Sequence, residues 1–299
     1  MKGKELKVVE MCREKMKGIR FTEETIKKNN NSIQRGLRIA REGANLGFIV
    51  YWADVVDMLG EEYAVEDAVG YIESMVQTHL DFSPDYSPLL DWDKAKGLLR
   101  CKVVNYERNK ERLYFCPHMR YLDLAQVYYV QWELPGYGTA TAEVNDGLVE
   151  KWGVTDGTVV VLARQNMEAV KYRVEKVSDI LDDTERSLID VENPLYALQG
   201  NATFGAAVIM NPGLVGKLTV GMGNLYILPS SVYELLVLPD NGQFKVEILR
   251  DTVRRVNRMQ VKDNDFLSDQ VYYFQRDSTQ IFVCEEEQKV LPESSSMPG

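Results

Sequence analysis

Histidine is nearly missing from this chain. There are two, His79 and His118, against 35 lysines and arginines and 45 aspartates and glutamates in 299 residues. Two imidazoles and four scattered cysteines (Cys12, Cys101, Cys116, Cys284) give none of the ligand spacings that hold zinc. The same scatter gives no CxxC pair and no disulfide framework, which points to a reducing cytoplasm, where the sequon Asn201-Ala202-Thr203 would carry no glycan. Long apolar runs are lacking too: nothing approaches the roughly 18 consecutive apolar residues of a membrane-spanning helix. The opening MKGKELKVVEMCREK has no apolar segment of the signal-peptide kind, so no leader is expected. An excess of basic charge is the last absence. A net charge of −10 disfavours indiscriminate binding to nucleic acid or to an anionic membrane, both of which want a basic surface. The acidic runs Asp182-Asp183 and Asp263-Asn264-Asp265 lack the glycine and terminal glutamate of a calcium loop and read as solvated. The expectation is therefore no metal, no cofactor and no membrane.

What is present is ordinary for a soluble globular protein, with 45% hydrophobic and 27% charged residues. The densest apolar stretch runs from Pro194 to Asp240. Within it, Asn211-Pro212 predicts an N-cap followed by proline at the first helical position, where its missing N–H costs nothing. Leu225–Leu228 and Leu235–Leu238 predict two neighbouring strands joined through Pro229-Ser230-Ser231. A rival reading exists, because Ser231-x-x-Glu234 fits a helix-capping box; the short run ending at Pro239 favours the strand.

Elsewhere the periodicities predict helices over 2–17, 52–59, 65–80, 106–113, 145–152, 155–170 and 244–259. The first would turn Leu6, Val9, Cys12 and Met16 inward, and the last Ile248, Leu249, Val253 and Val256. Strands are expected at 33–41, 48–51, 98–105, 121–134, 139–144, 271–274 and 281–283, forming hairpins, with a surface loop at 179–193. Hairpins and short helices alternate without regular βαβ spacing, so the fold class is α+β, with the helices packed on antiparallel sheets. The expected organisation is an N-terminal α+β subdomain over 1–119, a C-terminal one over 120–290, and a disordered tail at 291–299.

Few residues suggest chemistry. Cys116-Pro117-His118 sets a thiol two residues from an imidazole, and positions i and i+2 of a strand share a face, but Pro117 breaks regular pairing and no third orienting group is visible. His79 falls in a helical apolar stripe and reads as a core histidine. Gly213-Leu-Val-Gly216-Lys217-Leu218 fails as a phosphate loop, because its glycine spacing is short and Leu218 stands where a hydroxyl should hold magnesium. Ser230 and Ser231 lack a GxSxG elbow, and turn hydrogen bonding explains both. One local charge feature departs from the acidic whole: Arg250, Arg254 and Arg258 are spaced four apart on a predicted helix. They suit an exposed face, a pairing with the acidic 182–192 segment, or docking of an acidic partner or a nucleic-acid phosphate.

Several stretches then resemble a known family. DLAQVYYV from Asp123, the Trp152-Gly153 helix break, FGAAVIMNPGL, and above all NLYILPSSVYELLVLPD with the downstream VNRMQV and LSDQVYYF, are similar to a bacterial family catalogued as domain-of-unknown-function family 5688. VVNYERNKERL and GLRIAREGAN are similar as well, so the likeness covers nearly the whole chain; a more distant one, through Trp152-Gly153, is to family 1444. The resemblance implies a single cytoplasmic unit and brings with it no activity, substrate or catalytic residue to carry over. The favoured expectation is a non-catalytic interaction or binding protein, meeting another protein or itself. The alternative is a hydrolase using the turn serines Ser230 and Ser231 or the Cys116–His118 pair.

Overall fold

A computed structural model describes residues 2–44, 47–80, 84–180, 193–229, 231–276 and 278–285. The expected tail at 291–299 and most of the expected 179–193 loop lie outside these residues. The architecture is α+β, with three antiparallel sheets. Two compact units emerge, residues 1–85 and 86–299. The expected boundary near Met119 falls inside a strand that is hydrogen-bonded to its neighbour, so a cut there would open a sheet.

The N-terminal unit is a meander, β1 (Ile19–Lys27), β2 (Ile33–Arg41) and β3 (Phe48–Tyr51), with helices α1 (Lys2–Lys15), α2 (Trp52–Leu59) and α3 (Val65–His79). Leu37 and Ile39 alternate with polar residues along β2 and are fully buried, as a half-buried strand requires. They meet Val8, Val9 and Cys12 of α1 and Val69 and Ile72 of α3 in one apolar cluster. The inward stripe of α1 differs from expectation. Leu6 is 52% exposed, and Glu5 takes the inner position, its carboxylate 2.6 Å from Arg35 Nη2. An inward carboxylate is held by a cation, a pairing that periodicity alone does not reveal.

The C-terminal unit carries a four-stranded and a six-stranded sheet. In the first, β4 (Leu99–Asn105) lines one edge of β6 (Leu124–Leu134), while β5 (His118–Tyr121) and then β7 (Gly138–Glu143) line the other. Helices α4 (Ser87–Leu90), α5 (Trp92–Leu98), α6 (Tyr106–Leu113), α7 (Asp146–Trp152) and α8 (Asp156–Met167) accompany this sheet. Asn105, Asn145 and Thr155 cap α6, α7 and α8 by accepting from backbone N–H groups, and Gly153 ends α7 in the left-handed conformation, at φ 66°, that suits glycine.

The six-stranded sheet runs β13 (Ile281–Val283), β12 (Tyr272–Phe274), β10 (Leu225–Leu228), β11 (Glu234–Pro239), β9 (Tyr196–Gly200) and β8 (Tyr172–Lys176). Helix α9 (Val177–Ile180) follows β8, and α10 (Pro212–Leu218) and α11 (Val246–Gln260) come later in the chain. The Pro194–Asp240 stretch supplies the middle of this sheet: Leu225 pairs with Pro239, and Leu228 with Leu236. The strand reading of 235–238 holds over the capping box because Leu235 and Val237, two apart, are both fully buried. Among the described residues no helix is long and apolar enough to cross a membrane.

Candidate functional site

A cleft of about 470 Å³ opens in the C-terminal unit. One wall is the second half of α8. Val159 and Ala163 of that helix are fully buried, which turns Val161, Arg164 and Glu168 toward the opening. Asn166 fixes the end of the wall by donating to the carbonyls of Lys96 (2.8 Å) and Leu99 (3.1 Å). Met167 Sδ accepts from the Cys101 backbone N–H at 3.4 Å. The facing wall is a short 3-10 segment, Gly205–Met210, continued by α10. Gly205 is required there: a Cβ would stand 2.4 Å from the Tyr233 carbonyl oxygen, so only glycine lets this wall lie against β11. Asn211 then starts α10 as expected, its Oδ1 accepting from Leu214 N–H at 3.0 Å.

The floor comes from the four-stranded sheet. Cys101 pairs with Tyr128 and Val103 with Gln126 across β4 and β6, so their side chains share one face. Gln126 is 2% exposed. Its amide oxygen accepts from Arg164 Nη2 (3.2 Å), Arg164 Nε (3.4 Å) and the Tyr128 hydroxyl (3.4 Å). A buried amide needs such partners, and here it holds the side edge of the guanidinium in place. The end of that fork, Nη1 and the second Nη2 hydrogen, has no partner among the described residues. Burial pushes the Cys101 thiol up to about 12, offset in part by Arg164 and a hydrogen bond from Gln126. Burial raises the Tyr172 phenol as well. Neither ionises near neutrality. Among the described residues the cleft thus presents an exposed guanidinium held along one edge, an exposed carboxylate (Glu168), neutral polar groups, and an apolar surface from Val208, Met210 and Leu214.

The residues singled out from sequence lie elsewhere. His118 Nδ1 sits 3.1 Å from the Cys116 carbonyl oxygen, so the imidazole meets the backbone of Cys116 rather than its thiol. The Cys116 Sγ, buried, is 3.9 Å from the Leu113 carbonyl. Burial first, and then the Glu143 carboxylate, push this thiol up to about 11, the reverse of an activated nucleophile. Glu143 is itself held by Arg112 (2.7 Å) and Lys102 (2.8 Å). Ser231 Oγ accepts from Tyr233 N–H at 3.1 Å, a turn-forming contact, and Ser230 lies outside the described residues. His79 is half-buried with its ring 5.6 Å from that of Phe48, inside the N-terminal unit.

The arginine row is not one face. Arg250 is buried at 8% exposure and donates to the Cys284 carbonyl, whereas Arg254 and Arg258 are exposed, Arg254 lying 3.7 Å from Asp251. The reason is geometric. Four residues turn an α-helix by about 400°, so a four-spaced row winds by about 40° per step out of the buried side. The same winding leaves Ile248 61% exposed and fills the inner stripe with Leu249, Arg250, Val253 and Asn257. The 182–192 partner segment lies outside the described residues.

Sequence reasoning also missed a buried polar lock. Asp123 accepts from Ser268 Oγ (2.6 Å) and from the Tyr272 hydroxyl (2.8 Å), joining the DLAQVYYV and LSDQVYYF stretches. Ser268 is fully buried and donates its hydroxyl proton directly to Asp123, so the trio anchors rather than reacts. It holds the β5–β6 turn, where Leu122 adopts φ 56°, a left-handed conformation costly for a bulky residue. The available signal for both features was a polar residue inside an apolar run, Gln126 in LAQVYYV and Asp123 at its head. Among the described residues no group of three or more His, Cys, Asp or Glu could hold a metal ion.

A family model described as a family of unknown function (DUF5688) matches residues 5–276, a span that enters both units. No curated protein and no solved structure matches the chain.

Proposed function

The chain belongs to that family of unknown function, and from its own geometry we propose that it is a non-catalytic binding protein whose ligand occupies the cleft between α8 and the 205–218 wall. The carrying observation is the cleft itself. At about 470 Å³ it is of the size that small-molecule sites have, and it combines an apolar surface with a few convergent polar groups, one of them an arginine fixed from below. The nucleophiles considered above point away from catalysis: Cys116 and Cys101 are raised thiols, and Ser231 is engaged in its turn. Four free, buried thiols support a cytoplasmic location.

The test is to purify the tagged chain from a cytoplasmic extract, denature it, and identify released small molecules by mass spectrometry. Leu214→Trp, which fills the cleft, serves as the comparison. A compound released by the natural chain and missing from Leu214→Trp is the expected result. The same set from both, or none from either, contradicts the reading.

A second reading, docking of another protein or of a second copy, draws on Tyr114 and Phe115. These adjacent rings are 80% and 62% exposed and pack edge to face with centroids 5.1 Å apart. If they dock a partner, the double change to alanine abolishes any self-association or partner recovery seen by sedimentation; unchanged behaviour rules it out.

A further inference from the structure

The charges in the cleft come as an opposed pair: Arg164 in the last turn of α8, and Glu168, the residue that caps its C-terminus. Arg164 and Glu168 are four residues apart, which places their Cβ atoms about 6 Å from each other. Such a pair can close into an ion pair, but here none joins the two side chains among the described residues, and both line the cleft. The reason lies in Gln126. By accepting from Nε and Nη2 it draws the side edge of the guanidinium to the floor and leaves the end of the fork unspent. That end presents two parallel N–H groups, the geometry that meets a carboxylate in bidentate fashion. Phosphate would suit the same fork, but a dianion beside the Glu168 carboxylate would be repelled. A ligand carrying a cation next to its carboxylate would instead be attracted by both side chains. Beyond the pair, Val208 is buried and Met210 and Leu214 are half-buried along the facing wall, a surface for an apolar body.

We infer that the cleft binds a free α-amino acid with a large apolar side chain, its carboxylate on Arg164, its ammonium on Glu168 and its side chain against Met210 and Leu214. The inference rests on the cleft reading above and deepens it. An extended peptide of three or more residues does not satisfy the arrangement, because at about 3.5 Å per residue its termini stand farther apart than the roughly 5.4 Å of one helical turn.

Titration calorimetry on the full chain tests this with phenylalanine, leucine and methionine, and with two analogues of phenylalanine: 3-phenylpropionate, which lacks the amine, and phenethylamine, which lacks the carboxylate. At least one of the amino acids binds, and each of its analogues binds about tenfold or more weakly, the factor expected for losing one charged contact. Glu168→Gln weakens the amino acid by a similar factor and leaves 3-phenylpropionate binding as tightly or more tightly, since a repelling charge is gone, which separates loss of a contact from loss of the fold. Arg164→Met removes binding of both. Absence of heat from every amino acid at millimolar concentration overturns the inference, as does 3-phenylpropionate binding as tightly as phenylalanine. The cleft reading is judged separately. If the extract yields a different compound whose release depends on Leu214, that reading stands and the amino-acid assignment falls. If nothing is released, both fall.

Discussion

The two units of this molecule solve the problem of an interior in different ways. The N-terminal unit gathers one apolar cluster, and its one fully enclosed charged residue, Glu5, meets a single arginine. The C-terminal unit encloses Asn109, Gln126, Thr219, Arg250, Asn257 and Ser268 among its apolar clusters. Each of these six is tied to backbone or side-chain groups, as Asn257 is to the Ser268 carbonyl at 2.9 Å. Enclosed polar groups stabilise little by themselves and cost much when a partner is lost, so they fix one arrangement more than they add stability. The comparison bears on the proposed function: the polar floor under the cleft lies in the unit that encloses many such groups, and the other unit encloses a single ion-paired carboxylate.

The largest expected effect breaks the C-terminal unit at its centre. Leu235 is fully buried on β11, so Leu235→Asp inserts an unpaired charge and costs about 3–5 kcal/mol, seen as a large fall in the denaturant midpoint. A midpoint close to that of the natural chain contradicts the packing of this sheet. Leu236, the neighbouring residue, is half-buried, and the same change there costs less.

Asp123→Ala comes next. It leaves the Ser268 and Tyr272 hydroxyls unsatisfied in a buried place, at a cost of about 2–4 kcal/mol. In the N-terminal unit, removing Glu24, whose ion pair with Arg38 at 3.2 Å is partly exposed, costs less than about 1 kcal/mol. Equal costs would erase the contrast between the units.

Alkaline pH sharpens it further. Burial raises the phenols of Tyr121, Tyr128, Tyr129, Tyr172, Tyr226, Tyr233, Tyr272 and Tyr273 in the C-terminal unit, and Asp123 adds to the effect on Tyr272. In the N-terminal unit only Tyr63 is raised among the described tyrosines, by burial and Glu5. A raised folded pKa means that the neutral phenol is the form the fold accepts. Its contribution is complete below the unfolded value of about 10 and is lost as pH rises from there through the folded values. Amide exchange followed from pH 9 upward, after correction for the intrinsic rate, should show protection failing first in the C-terminal unit. Earlier failure in the N-terminal unit contradicts the assignment.

How much of this could be read from sequence depends on where a residue faces. The hairpins β2–β3, β6–β7, β10–β11 and β12–β13 were legible because alternating residues, as in β2, or continuous apolar runs, as in β6 and β10, stand between turn residues. β1 and β8 were not, because they are edge strands: IRFTEETIK buries little but Phe21, so its pattern carries almost no apolar signal. Glu5 and Arg250 were misplaced for a related reason, since a charged residue that finds its partner inside looks outward-facing in a hydropathy pattern. The cleft was the least legible feature. Cys101, Gln126, Arg164 and Leu214 are brought together only by the pairing of β4 with β6 and the packing of α8 and α10, and no spacing along the chain encodes that meeting.

The smallest effect of all is expected on the exposed side of α11, and the buried side gives its contrast. Arg250→Met leaves the Cys284 carbonyl short of a donor and costs about 1–3 kcal/mol. Arg258→Glu, on the exposed side, changes stability by no more than about 0.5 kcal/mol. Equal costs would show that the two arginines share one environment.

The central claim is that a ligand enters the cleft of the C-terminal unit. Hydrogen exchange measured by mass spectrometry, with and without the small-molecule fraction of a cytoplasmic extract, tests it most directly. The account predicts added protection in peptides covering 160–172 and 205–214, none in α1 to α3, and none anywhere in Leu214→Trp. Protection confined to the N-terminal unit, or unchanged exchange at both cleft walls in the natural chain, contradicts it.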